Sequence, residues 1–161
     1  MADTNLQLTK VPDVNTGVLI RRPVDQVFKA LTDPSITAKF WFTKSTGPLK
    51  TGAEVEWTWE MYNVSVPVVV KDFEKNRLVK FEWGPAPGAT TVEFRFDARS
   101  GDTTYLAIKE SGFTGGNGDE IVARVADSMG GFTQLIAALK AYLEHDIILT
   151  IVADRFPDGH G

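Results

Sequence analysis

Glu110 is the residue whose place in the pattern most invites chemistry. Thr104, Leu106, Ile108 and Glu110 recur at every second position, so a strand here sends all four side chains to one face. A carboxyl among Leu106 and Ile108 would be desolvated, the setting in which such a group serves as an acid, a base or a ligand anchor. A structural role is the alternative: at a strand end, Glu110 caps a backbone group or pairs with an arginine such as Arg124. Other reactive groups are few. His145 and His160 are the only histidines, one closing a helical pattern and one in the tail, so neither a His-rich metal site nor a Ser-His-Asp triad has support. His145 suits the negative end of a helix dipole. Cysteine is absent, which excludes disulfides, thiolate catalysis and Cys-ligated zinc or iron–sulfur centres. Neither a metal nor a cofactor is expected.

Binding is the second chemistry on offer. Trp41, Trp57, Trp59, Trp83, Phe94, Phe96, Phe113 and Phe132 are suited to lining an apolar cavity, with indole N–H groups as its polar handles, and helical spacing sets Met129 beside Phe132. Plain core packing is the competing reading of the same rings. Gly130-Gly131 bears on the choice, because two glycines inside a helix cost about 1 kcal/mol each relative to alanine. Close helix-to-sheet approach, a kink, or room for a ligand would offset that cost. Residues 112–118 hold four glycines but lack the strand-to-helix phosphate cradle and its lysine, so they read as a connecting loop, with a cavity lid as the alternative.

The elements that must position these residues follow from periodicity. Ile121, Val125, Met129, Phe132, Ile136, Leu139 and Leu143 recur in steps of three and four, one face of a long amphipathic helix over 117–143. Asn117 as cap, Glu120 three residues on, and Asp119 beside it mark its start. Residues 1–14 read as an arm whose Leu6, Leu8 and Val11 lie along a sheet edge. A strand is expected over 17–22, a short helix from Pro23 carrying Val24, Val27, Phe28 and Leu31, and a second from Pro34 to Trp41. Strands follow over 54–61 (Val55, Trp57, Trp59 and Met61 inward), 64–73, 77–83 and 91–97, with turns at 62–63, 74–76 and 100–102. In the extension 146–161, Leu143, Ile147 and Ile151 continue the stripe at steps of four, so the helix is expected to run on and stop before Pro157. This apolar tail would cover the domain or meet a second copy in a homodimer.

Composition bounds the rest. At 161 residues and 43% hydrophobic content, the chain reads as one globular domain over 15–145 between arm and extension. A net charge of −4 without a Lys/Arg cluster disfavours nucleic acid and anionic membrane surfaces as partners. No signal pattern and no apolar run near the spanning length of about 20 residues is present, so a cytoplasmic location is expected and membrane insertion is not.

These motifs resemble a known family. The run from Arg22 through Pro23, Val24 and Phe28 to Asp33-Pro34, then Trp41, Glu110-Ser111-Gly112-Phe113 and Gly131-Phe132-Thr133-Gln134-Leu135, resembles the START-like or SRPBCC superfamily. The similarity is to the branch named for the heat-shock-protein-90 ATPase activator homologues, and it spans roughly 15–145. It implies an α+β helix-grip fold: a curved antiparallel sheet around a long C-terminal helix, with two short helices after the first strand. It further implies a cavity for a small apolar ligand between sheet and helix. Members range from binding proteins to cyclases and co-chaperones, so the fold alone leaves function open. Binding of a small hydrophobic ligand is the expected function. A chaperone partner is the first rival, weighed against by the expectation of one isolated domain without the N-terminal domain of the eukaryotic activators. The second is a cyclase- or hydrolase-like enzyme using Glu110 as acid or base.

Overall fold

The structure, a computed structural model, describes residues 6–85 and 87–159. One antiparallel sheet holds β1 (Val14–Ile20), β2 (Lys44–Ser45), β3 (Glu54–Trp59), β4 (Val64–Glu74), β5 (Leu78–Trp83), β6 (Thr90–Arg99) and β7 (Thr103–Ser111). They lie in the order β1-β7-β6-β5-β4-β3-β2, which leaves β1 and β2 at the edges. Helices α1 (Val24–Thr32) and α2 (Pro34–Thr37) follow β1, and the long helix α3 (Gly118–His145) follows β7 and packs on the inner face. This is the α+β helix-grip architecture. Residues 1–5 of the expected arm and His160 lie outside the described residues.

Alternation decides which face is covered. Val55, Trp57 and Trp59 are buried while Glu54 and Glu56 stay in water, and Thr104, Leu106, Ile108 and Glu110 are all buried on β7. Asn76, in the left-handed region at φ 62°, turns β4 into β5. A register shift between Val70 and Asp72 marks a bulge in β4, a device that bends a strand and helps the sheet curve around a helix.

Three local expectations are corrected. The strand expected over 54–61 ends at Trp59, and Glu60–Tyr62 forms a 3-10 turn closed by Asn63 at φ 51°. Edge strand β2 is only two residues long, so the ladder runs out; the Glu60 N–H is taken by the Thr43 hydroxyl at 3.0 Å, and Met61 swings into solvent. The first strand begins at Val14, because β7 supplies pairing as far as Val14 opposite Glu110. The second short helix stops at Thr37 and tightens into turns that deliver Trp41 to the core.

Asn117 caps α3, its side chain accepting from Glu120 N–H at 2.9 Å, and Asp119 accepts from Leu6 N–H at 2.9 Å, which ties the arm to the helix start. Ile121, Phe132, Leu135, Ile136, Ala138 and Leu139 are buried, and Val125 and Leu143 half-buried. Met129, expected beneath the sheet, is 37% exposed. At 100° per residue it falls to one side of the line through Ile121, Phe132 and Leu139, where there is no sheet to meet it.

The C-terminal end of α3 is clamped to β1. Lys140 Nζ donates to Leu19 O and to Glu144 Oε2, both at 2.6 Å; Arg21 N–H reaches the same Oε2 at 2.8 Å, and Arg22 Nη2 reaches Glu144 O at 2.8 Å. The helix then stops. Asp146 takes φ 54°, its N–H returns to Tyr142 O, and Ile147 N–H returns to Ala141 O. The expected continuation toward Pro157 fails because Ile147, Ile148, Thr150, Ile151 and Val152 are β-branched and weak helix formers, while the left-handed cap satisfies the final carbonyls. Ile147 and Ile148 are 51% and 56% exposed. The tail turns back along α3 and makes one further turn of helix, α4 (Ile151–Asp154).

Leu139→Ala is expected to cost about 2 to 5 kcal/mol in chemical denaturation, the penalty for a large-to-small change in a closed core. Met129→Ala should stay within about 0.5 kcal/mol. Burial pushes the Glu144 carboxyl upward, but the Arg21 and Lys140 hydrogen bonds and the charges of Lys140 and His145 outweigh it and hold its pKa below the ordinary 4.5. Its stabilisation is therefore complete above 4.5 and is lost as pH falls through the lowered folded value. Urea midpoints of wild type and Glu144→Gln should differ at neutral pH and converge below that value.

Candidate functional site

Under the N-terminal half of α3 lies a cavity of about 670 Å³. Trp59, Trp83, Thr90 and Glu110 bring side chains from four strands to its sheet side, and Trp41 closes the back. The helix contributes Arg124, Asp127, Ser128, Gly131 and Phe132, and the tail adds Val152, Arg155 and Phe156. The C-terminal half of α3 sits directly on the core, whereas this half spans open space.

Glu110 is the polar centre of the wall. It is 2% exposed. Its Oε2 accepts from Thr90 Oγ1 at 2.5 Å and from Trp83 Nε1 at 3.0 Å, and the same indole N–H is shared with Thr90 Oγ1 at 3.0 Å. Register explains the convergence: Trp83 pairs with Thr90 across β5 and β6, and Glu110 pairs with Val92, two residues on along β6. The other carboxyl oxygen, Oε1, is buried and has no hydrogen-bond partner among the described residues. The expected pairing with Arg124 is absent. Arg124 Nη1 donates instead to Thr114 O at 2.6 Å, and its guanidinium lies 5.7 Å from the Phe113 ring centroid.

Of the residues expected to line a cavity, Trp41, Trp59, Trp83, Glu110, Phe113 and Phe132 do so. Trp83 stacks on Phe132 at 5.6 Å, and Trp41 stands edge-on to Trp59 at 5.6 Å. Trp57, Phe94, Phe96 and Met129 are placed elsewhere. Trp57 stacks on Phe42 at 4.9 Å and Phe94 packs on Phe81 at 5.3 Å, both behind the Trp41 ring, and Phe96 meets Phe28 at 5.0 Å. These three are core, and Met129 is on the outer side of the helix.

Thr90 went unmarked in the sequence although a signal existed: it continues the Val92, Phe94, Phe96 alternation by one step. Tyr62 and the tail residues carried no such signal. Gly130-Gly131 is explained by the tail. A Cβ on Gly130 would lie 2.7 Å from Arg155 Nη2, and one on Gly131 3.1 Å from Nη1, so the glycines make room for a guanidinium rather than for the sheet. Residues 112–117 form a loop with Gly112, Gly115 and Gly116 at positive φ, joining β7 to α3.

Chemically, the site offers one buried carboxyl with a free oxygen, a set of rings, and an Asp127–Arg155 ion pair at 3.0 Å. Among the described residues, no group of three or more His, Asp or Glu is placed to hold a metal ion, and no helix is long and apolar enough to cross a membrane.

The family model described as Activator of Hsp90 ATPase homolog 1-like protein matches residues 21–144. Protein SSP2350 from Staphylococcus saprophyticus is similar at 25% identity and TM-score 0.73, over 86% of this chain and 96% of that one. DynU16, from the dynemicin biosynthetic locus, is 25% identical at TM-score 0.72, over 84% of this chain and 48% of that one. The Aha1 dimer from Colwellia psychrerythraea shares the fold at TM-score 0.70 and 15% identity, over 83% of this chain and 97% of that one. No curated protein matches the chain.

Thr90→Val keeps the β-branched shape but strips Glu110 of its shortest hydrogen bond, with an expected loss of about 1 to 3 kcal/mol. Adding Glu110→Leu removes the carboxyl but takes from the Trp83 indole N–H both of its acceptors, so the double variant should be less stable than the single one. Urea denaturation of the single and double variants checks both signs.

Proposed function

The chain belongs to the Activator of Hsp90 ATPase homolog 1-like family, and on that premise we propose that it binds a small, largely apolar molecule bearing one hydrogen-bond donor. The observation that carries this reading is Glu110 Oε1, buried and unpartnered in the wall of an aromatic cavity. An unsatisfied buried acceptor costs about 1 to 3 kcal/mol, so it persists where something else supplies the donor. A volume of about 670 Å³ falls among those of small-molecule sites. Trp59, Trp83 and Phe132 would stack on the apolar body, and an O–H or N–H would complete the carboxyl.

The second reading is a chaperone contact, supported by the family's description and by the shared fold of the Aha1 dimer. A pulldown with the chaperone tests it, and light scattering tests for a homodimer. A cyclase- or hydrolase-like reaction through Glu110 ranks below both, because the cavity's other carboxyl, Asp127, is committed to Arg155.

Paired ligands test the main reading. 2-Naphthol, a donor, should quench or shift the tryptophan emission and bind about tenfold more tightly than 2-methoxynaphthalene, which has no donor. In Glu110→Gln the amide oxygen stays with Thr90 and Trp83, and the free atom becomes an N–H donor, so the preference should shrink. Equal affinities in the wild type, or no binding of either compound, would sink the proposal.

A further inference from the structure

We propose that residues 150–156 are a strap forming the outer wall of the cavity, that Arg155 is its latch, and that this segment governs which ligands enter and how fast they leave. The inference rests on the ligand-binding reading above and assigns to it residues beyond the family match, which ends at 144.

Val152, Arg155 and Phe156 all line the cavity, so a molecule that fills it touches the strap. Ile151 and Val152 pack against the core, and the polar attachment is concentrated at two points. Arg155 Nη2 donates to Asp127 O and Asp127 Oδ1, both at 3.0 Å, while its guanidinium occupies the notch left by Gly130 and Gly131. The Tyr62 hydroxyl donates to Val152 O at 2.5 Å and is shared with Ala153 O at 3.0 Å; it also accepts from Phe156 N–H at 3.3 Å. The Phe156 ring lies edge-on to Tyr62 at 5.9 Å and under the Arg155 guanidinium at 4.9 Å. Every strap residue is half-buried or exposed, in contrast with the buried rings of the cavity floor. A half-exposed segment of this kind opens at lower free energy than the core unfolds.

The glycine pair separates a built latch from incidental packing. Glycine inside a helix is unfavourable, and at both positions the space is taken by Arg155, so α3 forgoes helix stability to seat this one side chain. Tyr62 and Phe156 serve both sides of the device, since each lines the cavity and each joins the contact that closes it. A ligand that extends toward the tail therefore presses on the latch itself.

The test measures 2-naphthol association and release by stopped-flow tryptophan fluorescence in the full chain, comparing wild type with Arg155→Ala and Gly130→Ala. The alanine methyl at 130 meets the far end of a flexible side chain, so the guanidinium must swing out while the helix becomes more favourable. Release should accelerate about tenfold in both variants, the scale of one charge-assisted hydrogen bond, while the thermal midpoint of Gly130→Ala holds or rises. A purely structural role for residue 130 predicts the higher midpoint with unchanged release. Unchanged release in both variants, with wild type binding normally, overturns the strap and leaves the cavity reading standing. Absence of binding in all three proteins overturns both.

Discussion

The fold depends on the fixing of α3 at one end. Glu144 accepts the Arg21 backbone N–H and the Lys140 ammonium on one oxygen, Lys140 reaches on to Leu19 O, and Arg22 holds the Glu144 carbonyl. These contacts fasten the last turns of a 28-residue helix to the edge strand β1, and Leu135, Ile136, Ala138 and Leu139 fill the space beneath it. The sheet curves away, bent in part by the bulge of β4, so a helix fastened at β1 cannot lie equally close to β3 and β4. The space left beneath its other half is the cavity.

That space is not uniformly apolar. Three neighbouring strands bring Trp83, Thr90 and Glu110 together, and their hydrogen bonds satisfy one carboxyl oxygen and leave the other bare. A carboxyl among rings is expensive without partners, and the two donors offset part of that expense while fixing the side chain's rotamer. The unpartnered oxygen is thereby held in a defined place in the cavity wall.

Much of the framework was legible because it is local. Period-two alternation identified inward residues of β3, β5, β6 and β7, Glu110 included, and Asn117 announced the start of α3 through a cap formed within three residues. Alternation says which face a ring occupies, not its depth. Hence Trp57, Phe94 and Phe96 share a face with Trp59 and Trp83 yet are core, since the helix lies close over some of the sheet and far from the rest. Met129 was misplaced because a stripe counted in threes and fours tolerates a residue at its margin, and the margin here faces water. The tail was the least readable part. Its aliphatic spacing matched the helix before it, but the left-handed turn at Asp146 and the Tyr62–Val152 bond, 90 residues apart in sequence, have no local signature. Gly130-Gly131 stood out as an anomaly, and the position of Arg155, far along the chain, accounts for the space at Gly130.

The notch ties two distant positions into one evolutionary unit. A Cβ at 130 and a guanidinium at 155 compete for the same volume, so among related chains an arginine at the tail position should travel with glycine at the helix position. Lineages that lose the tail are released from that restriction, and the higher helix propensity of alanine then favours filling the gap. Paired substitution at these sites is thus a sequence-level record of whether the tail is docked, readable in relatives for which no structure exists.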